Sequence, residues 1–213
     1  MDSIYRRIKE IGVLPVIKLD DVNKASRLGK ALVDGGLPAA EVTFRAEGAE
    51  KAIRIMKEEN PEMLIGAGTV LSIEQAEKAI KAGADFIVAP GYNKKVVEYV
   101  LSRNVVMIPG AVTPTEIEAV LDHGIDIIKF FPAELSGGVK MIKALSAPYK
   151  DVKFIPTGGI NAENISDYLK SKFVFACGGS WMVKDNLINN DEYFKITELC
   201  RHAVAIAERA RNE

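Results

Sequence analysis

Two charged residues stand where charge is costly. Lys129 interrupts the apolar run Ile127-Ile128-Lys129-Phe130-Phe131, and Glu41 interrupts Ala39-Ala40-Glu41-Val42-Thr43-Phe44. Desolvation disfavours an ammonium, and a neutral amine adds to ketones to form a Schiff base. A lysine that snorkels its head to solvent from a strand end fits the same position. A carboxylate facing the same interior serves as general acid or base, or it holds the core as an ion pair with Arg45 or Lys129. Arg45 offers a two-pronged fork for a carboxylate, although a lone arginine is most often a solvated surface residue. Thr69, beside Gly68, adds a hydroxyl and a close backbone approach.

Two glycine pairs, Gly158-Gly159 and Gly178-Gly179, follow apolar runs near the end of the chain. Singly, each is a turn. At adjacent strand ends they supply backbone N–H groups for a phosphate. Ser180 is expected to cap a short helix over 181–187 and to add a hydroxyl donor. Other polar residues read as structural. His123 and His202 lie on expected helices without metal-ligand spacing, and Cys177 reads as a small core residue. Gly66-Ala67-Gly68 has Leu71 where a dinucleotide fingerprint needs a small residue. Asn164-Ile165-Ser166 matches a glycosylation sequon by coincidence, since no secretion signal accompanies it.

The elements that must hold these groups are short and alternate in kind. Eight nearly continuous apolar runs, over 13–18, 40–44, 63–67, 86–89, 106–109, 127–131, 153–157 and 173–177, read as parallel strands buried on both faces. Between them, 73–82, 94–103 and 114–123 carry helical apolar spacing. Ser72 with Gln75, and Thr113-Pro114 with Glu116, mark helix starts. Gly36, Gly83 and Gly124 mark helix ends. Roughly 27 residues per unit suits a single-domain (β/α)8 TIM barrel over 1–213, whose chemistry sits at the carboxyl ends of the strands. An open doubly wound sheet is the competing fold. The first ten residues read as an extra N-terminal helix across the barrel floor, and 191–211 as a long final helix.

The chain has 213 residues with 28 Lys plus Arg against 29 Asp plus Glu, a formal net charge of −1. That balance argues against nucleic acid and against an anionic membrane surface as partners. No apolar run is long enough to span a bilayer, and MDSIYRRIKE lacks the apolar stretch of a signal peptide. Two cysteines are too few for a disulfide scaffold, so a cytoplasmic setting is expected.

The sequence resembles the class I 2-keto-3-deoxy-6-phosphogluconate aldolases, including those acting on 4-hydroxy-2-oxoglutarate. The likeness runs along nearly the whole chain, through Glu41-Val42-Thr43-Phe44-Arg45, Gly66-Ala67-Gly68-Thr69, Pro90-Gly91, Pro109-Gly110 and Gly178-Gly179-Ser180-Trp181. Its most specific parts are Lys129-Phe130-Phe131-Pro132-Ala133-Glu134 and Pro156-Thr157-Gly158-Gly159. The resemblance implies Lys129 as the Schiff-base lysine and Glu41 as the general acid/base. It implies Arg45 and Thr69 as the grip on the pyruvate carboxylate. Pro90, Phe131 and Thr157 would position the substrate, with Thr157 at the stereochemical control point. Gly158, Gly159, Gly179 and Ser180 would bind phosphate. It further implies a homotrimer that acts on a small phosphorylated 2-keto acid with no cofactor and no metal. Lys18 falls where members vary and receives no role. An aldolase for the galactonate epimer, a phosphate-binding barrel isomerase or epimerase without imine chemistry, and a non-enzymatic barrel are the competing readings.

Overall fold

The structure is a computed structural model that describes residues 2–212. Helix α1 (Asp2–Ile11) leads into β1 (Val13–Ile17), followed by a short 3-10 turn at Val22–Lys24 and α2 (Ala25–Asp34). Strand–helix pairs then alternate: β2 (Ala39–Thr43), α3 (Ala49–Glu59), β3 (Leu64–Gly68), α4 (Ile73–Lys81), β4 (Phe86–Val88), α5 (Lys94–Ser102), β5 (Val106–Ile108) and α6 (Pro114–Leu121). The chain continues through β6 (Ile127–Phe130), α7 (Gly138–Leu145), β7 (Lys153–Pro156), α8 (Ile165–Leu169), β8 (Cys177–Gly179), α9 (Asp185–Asn189) and α10 (Tyr193–Asn212).

All strand pairings are parallel. Six strands form a sheet in the order β5-β4-β3-β2-β1-β8, and β6 pairs with β7. Single bridges, Gly110 with Lys129 and Thr157 with Gly178, join that pair to the two edges of the sheet. The result is an α/β barrel-like fold. Its consecutive strand order has none of the reversal that marks a doubly wound sheet.

The period of two in a strand sorts side chains between two cores. Ala40, Val42, Ile128 and Phe130 face outward into the cluster shared with the helices. Ala39, Leu64, Phe86, Ile127 and Ile155 face inward into a second cluster, capped by Ile8 of α1. Glu41 and Lys129 lie two residues beyond Ala39 and Ile127, so they point into the same interior, one layer nearer the strand ends. Glycine makes room for that layer. A Cβ at Gly66 would collide with the Phe86 ring, and one at Gly68 with the Glu41 carboxylate. Gly66 and Gly68 thus serve packing.

Side-chain caps open α4, α5 and α6, at Ser72, Asn93 and Thr113. Thr113 accepts from the Glu116 N–H, and the Glu116 carboxylate accepts from the Thr113 N–H, so both halves of a capping box are made. Ser72 accepts from the Gln75 N–H at 3.2 Å, but the Gln75 side chain reaches the Leu71 N–H instead of completing a box. Two expectations need correction at the end of the chain. The eighth strand is Cys177–Gly179, not 173–177, because its ladder with β1 aligns Val13 with Cys177 and Pro15 with Gly179. The glycine pair is therefore strand, where the absence of side chains lets Thr157 and Trp181 approach. Ser180 caps no helix. Its carbonyl accepts from the Val183 N–H to close a turn, and α9 begins only at Asp185.

Candidate active site

At the carboxyl ends of the strands lies a cavity of about 440 Å³. Its floor is the meeting of β2 and β6. Lys129 Nζ donates to Glu41 Oε1 at 2.8 Å, with side chains only 6% and 2% exposed. Breaking such a pair from one side leaves a buried group without its partner, at a cost of about 3–5 kcal/mol. The Phe131 ring, just past the end of β6, has its centroid 5.7 Å from Lys129 Nζ. Phe131 is 40% exposed and precedes Pro132 through a cis peptide bond.

The wall beside the floor carries Arg45 and Thr69. Thr43, whose side chain is buried, joins them. Its hydroxyl donates to the Ile17 carbonyl at 2.8 Å and accepts from Arg45 Nε at 3.3 Å. The Arg45 terminal nitrogens keep their donor capacity for the cavity. Thr69 sits at φ +55, a left-handed conformation that a β-branched residue adopts only under strain. Pro90 closes this side. Its carbonyl lies so near Gly110 that a Cβ there would collide with it.

The opposite rim comes from β7 and β8. Thr157, Gly158, Gly159, Gly179 and Ser180 line it, together with Val16 and Ile160. Thr157 Oγ1 is buried and has no hydrogen-bond partner among the described residues. A buried hydroxyl in that state is costly unless a ligand satisfies it.

Lys129, Glu41, Arg45, Thr69, Pro90, Phe131, Thr157, Gly158, Gly159, Gly179 and Ser180 therefore line one cavity, whereas Gly178 of the second glycine pair does not. Val16, Thr43 and Ile160 line it too and were not singled out. Thr43 carried a signal, a hydroxyl two residues beyond Glu41 on the same strand face. Lys18 lies off the cavity wall and pairs with Asp20 at 2.7 Å. Cys177 is fully buried, and burial pushes its thiol well up, away from the reactive thiolate. His123 Nε2 is engaged with the Tyr92 hydroxyl at 2.8 Å. Among the described residues no group of three or more His, Cys, Asp or Glu could hold a metal ion, and no helix is long and apolar enough to cross a membrane.

An α/β barrel-like chain with a buried amine–carboxylate pair under a strand-end cavity has the parts of a barrel enzyme. The family model described as "KDPG and KHG aldolase" matches residues 4–199, and the chain belongs to this family. The chain is 44% identical over 206 residues to 2-dehydro-3-deoxy-phosphogluconate aldolase of Treponema pallidum, covering 97% of this chain and 98% of that one. Among solved structures it is similar to the 2-keto-3-deoxy-6-phosphogluconate aldolase of Zymomonas mobilis with 3-phosphoglycerate, at TM-score 0.89 and 36% identity, covering 96% and 95% of the two chains. It is equally similar to the KDPG aldolase of Legionella pneumophila with pyruvate captured as a covalent carbinolamine, at TM-score 0.89 and 38% identity, covering 95% and 96%.

Proposed function

We propose that this protein is a class I aldolase. It cleaves 2-keto-3-deoxy-6-phosphogluconate reversibly to pyruvate and glyceraldehyde 3-phosphate, with 4-hydroxy-2-oxoglutarate, giving pyruvate and glyoxylate, as a second substrate. The observation that carries this reading is the buried Lys129–Glu41 pair at 2.8 Å on the cavity floor. Family membership supports it.

The Lys129 amine adds to the carbon-2 ketone to give a carbinolamine, and Glu41 passes the protons that let water leave. The resulting protonated imine is an electron sink. The carbon-4 hydroxyl gives up its proton to the Glu41 carboxylate, the carbon 3–carbon 4 bond breaks, and the electron pair moves into the imine as an enamine. Glyceraldehyde 3-phosphate departs. Protonation at carbon 3 and hydrolysis return pyruvate and the free amine. The free end of Arg45 and the strained Thr69 hold the carboxylate, so that the breaking bond aligns with the imine π-system. Pro90 and Phe131 position the chain of the substrate, and Thr157 offers its unpartnered hydroxyl to a substrate hydroxyl. Gly158, Gly159, Gly179 and Ser180 receive the phosphate. Two anionic ends thus meet local donors, as a near-neutral chain requires.

On the same reading the eight strands close as one (β/α)8 barrel domain over 1–213, the two single bridges completing the ring and α1 covering its floor. The enzyme is a cytoplasmic homotrimer, checked by light scattering on the purified protein.

Borohydride reduction in the presence of pyruvate tests the chemistry. A mass gain on the Lys129 peptide is expected. No adduct favours an isomerase or epimerase without an imine, and an adduct on Lys18 or Lys153 overturns the assignment. Assay with the galactonate epimer separates the two aldolases.

A further inference from the structure

The rim raises a question that its glycines do not answer. Glycine is flexible, and a flexible loop is a poor anion site because binding must order it. Something must therefore aim its N–H groups.

Three consecutive carbonyls on this rim are held from outside the cavity. The Ala133 N–H donates to the Thr157 carbonyl at 2.8 Å, and the Glu134 N–H donates to the Gly158 carbonyl at 3.1 Å. Asn164 Nδ2 donates to the Gly159 carbonyl at 3.0 Å. A trans peptide is planar, with its carbonyl and N–H on opposite sides. Holding these three carbonyls therefore fixes the N–H groups of Gly158, Gly159 and Ile160. Those three residues line the cavity; the N–H groups of Gly159 and Ile160 make no hydrogen bond to the described backbone or side chains, while that of Gly158 faces Gly178 across the single bridge to β8.

The side chains behind the carbonyls are themselves held. The hydroxyl of buried Tyr168, on α8, donates to Glu134 Oε1. This keeps the Glu134 stem against the α-carbon of Gly159, where an added Cβ would stand 2.5 Å from Glu134 Cγ and 2.8 Å from Cβ. Gly159 sits at φ +81, so only glycine fits the space and the conformation together. Burial and the Glu134 hydrogen bond push the Tyr168 phenol upward, so it stays a donor across the neutral range. Asn164 occupies the N-cap position of α8 without capping it. Its Oδ1 accepts instead from the Asn161 N–H at 2.9 Å, which turns the amide toward Gly159.

We propose that Glu134, Tyr168 and Asn164 are positioning residues that aim the N–H groups of Gly159 and Ile160 at the substrate phosphate. This rests on the phosphate reading of the rim and adds the residues that make the rim selective. None of the three side chains touches the reacting carbons, so their effect belongs to recognition of the phosphorylated end.

The test compares kcat/KM for 2-keto-3-deoxy-6-phosphogluconate with that for unphosphorylated 2-keto-3-deoxygluconate. In Tyr168→Phe and in Asn164→Asp, the ratio is expected to fall by about tenfold, the loss of one well-placed hydrogen bond to a charged group. Inhibition by inorganic phosphate should weaken in step. Glu134→Gln keeps an acceptor for Tyr168 and should stay within about twofold of the parent ratio, while Glu134→Ala should fall with Tyr168→Phe. An unchanged ratio in Tyr168→Phe and Asn164→Asp overturns the proposal. So does an equal fall on both substrates, which marks general damage. If the parent enzyme itself shows no preference for the phosphorylated substrate and no inhibition by phosphate, the phosphate reading fails first.

Discussion

The floor of the cavity and its β7–β8 rim handle charge by opposite means. At the floor, two ionisable side chains are buried against each other, and each satisfies its partner at 2.8 Å. At the rim, the groups presented are backbone N–H groups rather than ionisable side chains, and the aiming is done from behind by Ala133, Glu134 and Asn164. A floor of this kind moves protons and electron pairs, because its groups change protonation state and bond order. The rim cannot do that; it binds. The difference teaches that damage at the two places should read out in different kinetic constants.

The largest effect should come from Lys129→Ala. Turnover is expected to vanish, together with the borohydride-trapped pyruvate adduct, as measured by mass spectrometry of the intact protein. Residual aldol cleavage with an adduct at another lysine would break the comparison at its stronger end. Glu41→Gln should lower kcat by about 10²–10⁴, the range for loss of a general acid or base. Slow borohydride trapping at Lys129 should survive, which stopped-assay mass spectrometry checks.

Gly159→Ala should act on the rim. The left-handed backbone costs an L residue about 1–3 kcal/mol, and Glu134 blocks the new methyl. KM for the phosphorylated substrate is expected to rise by roughly tenfold or more, with kcat less affected. A collapse of kcat with KM unchanged would show that the rim shares in the chemistry. Thr43→Val removes the hydroxyl that braces Arg45 Nε. A hydrogen bond from a charged group is worth about 1.5–3 kcal/mol, and at the low end KM for pyruvate in the condensation direction should rise by about tenfold. The smallest effect on catalysis should come from Thr113→Ala, at the N-cap of α6 and outside the cavity lining. It loses a cap worth about 1 kcal/mol of stability. Thermal unfolding should register that loss while kcat stays at the parent value.

The floor was legible because burial and charge conflict visibly in one dimension. Lys129 and Glu41 each break an apolar run, and the period of two that places Ile127 and Ala39 inward places them inward too. The partnership of residues 88 positions apart needed the curled, barrel-like arrangement of strands that brings β2 and β6 face to face. Arg45 and Thr69 were legible as residue types just past strand ends, but the brace from Thr43 and the left-handed backbone of Thr69 were not. At the rim the glycine pairs were visible while their roles were not equal. Gly158 and Gly159 form a turn, whereas Gly178 and Gly179 are strand. Periodicity cannot tell a strand from the loop before it when the run is three residues long and two of them are glycine. Ser180 misled for a related reason. A serine before an apolar stretch is a helix signal only if a helix follows, and here a turn intervenes.

The amino-acid order by itself determined the alternation of short buried strands with amphipathic helices, the capped starts of α4 and α6, and which residue types could do covalent chemistry. These follow from local propensity, capping and side-chain period, each acting within a few residues. Only the tertiary structure decided that Glu41 and Lys129 share one hydrogen bond, and that Gly66 and Gly68 exist to clear space for Phe86 and Glu41. It alone decided that Ala133, Glu134 and Asn164 hold the rim carbonyls. Those facts depend on strand register and on which ends of the sheet meet, and contacts between distant segments leave no mark on the local pattern of either one.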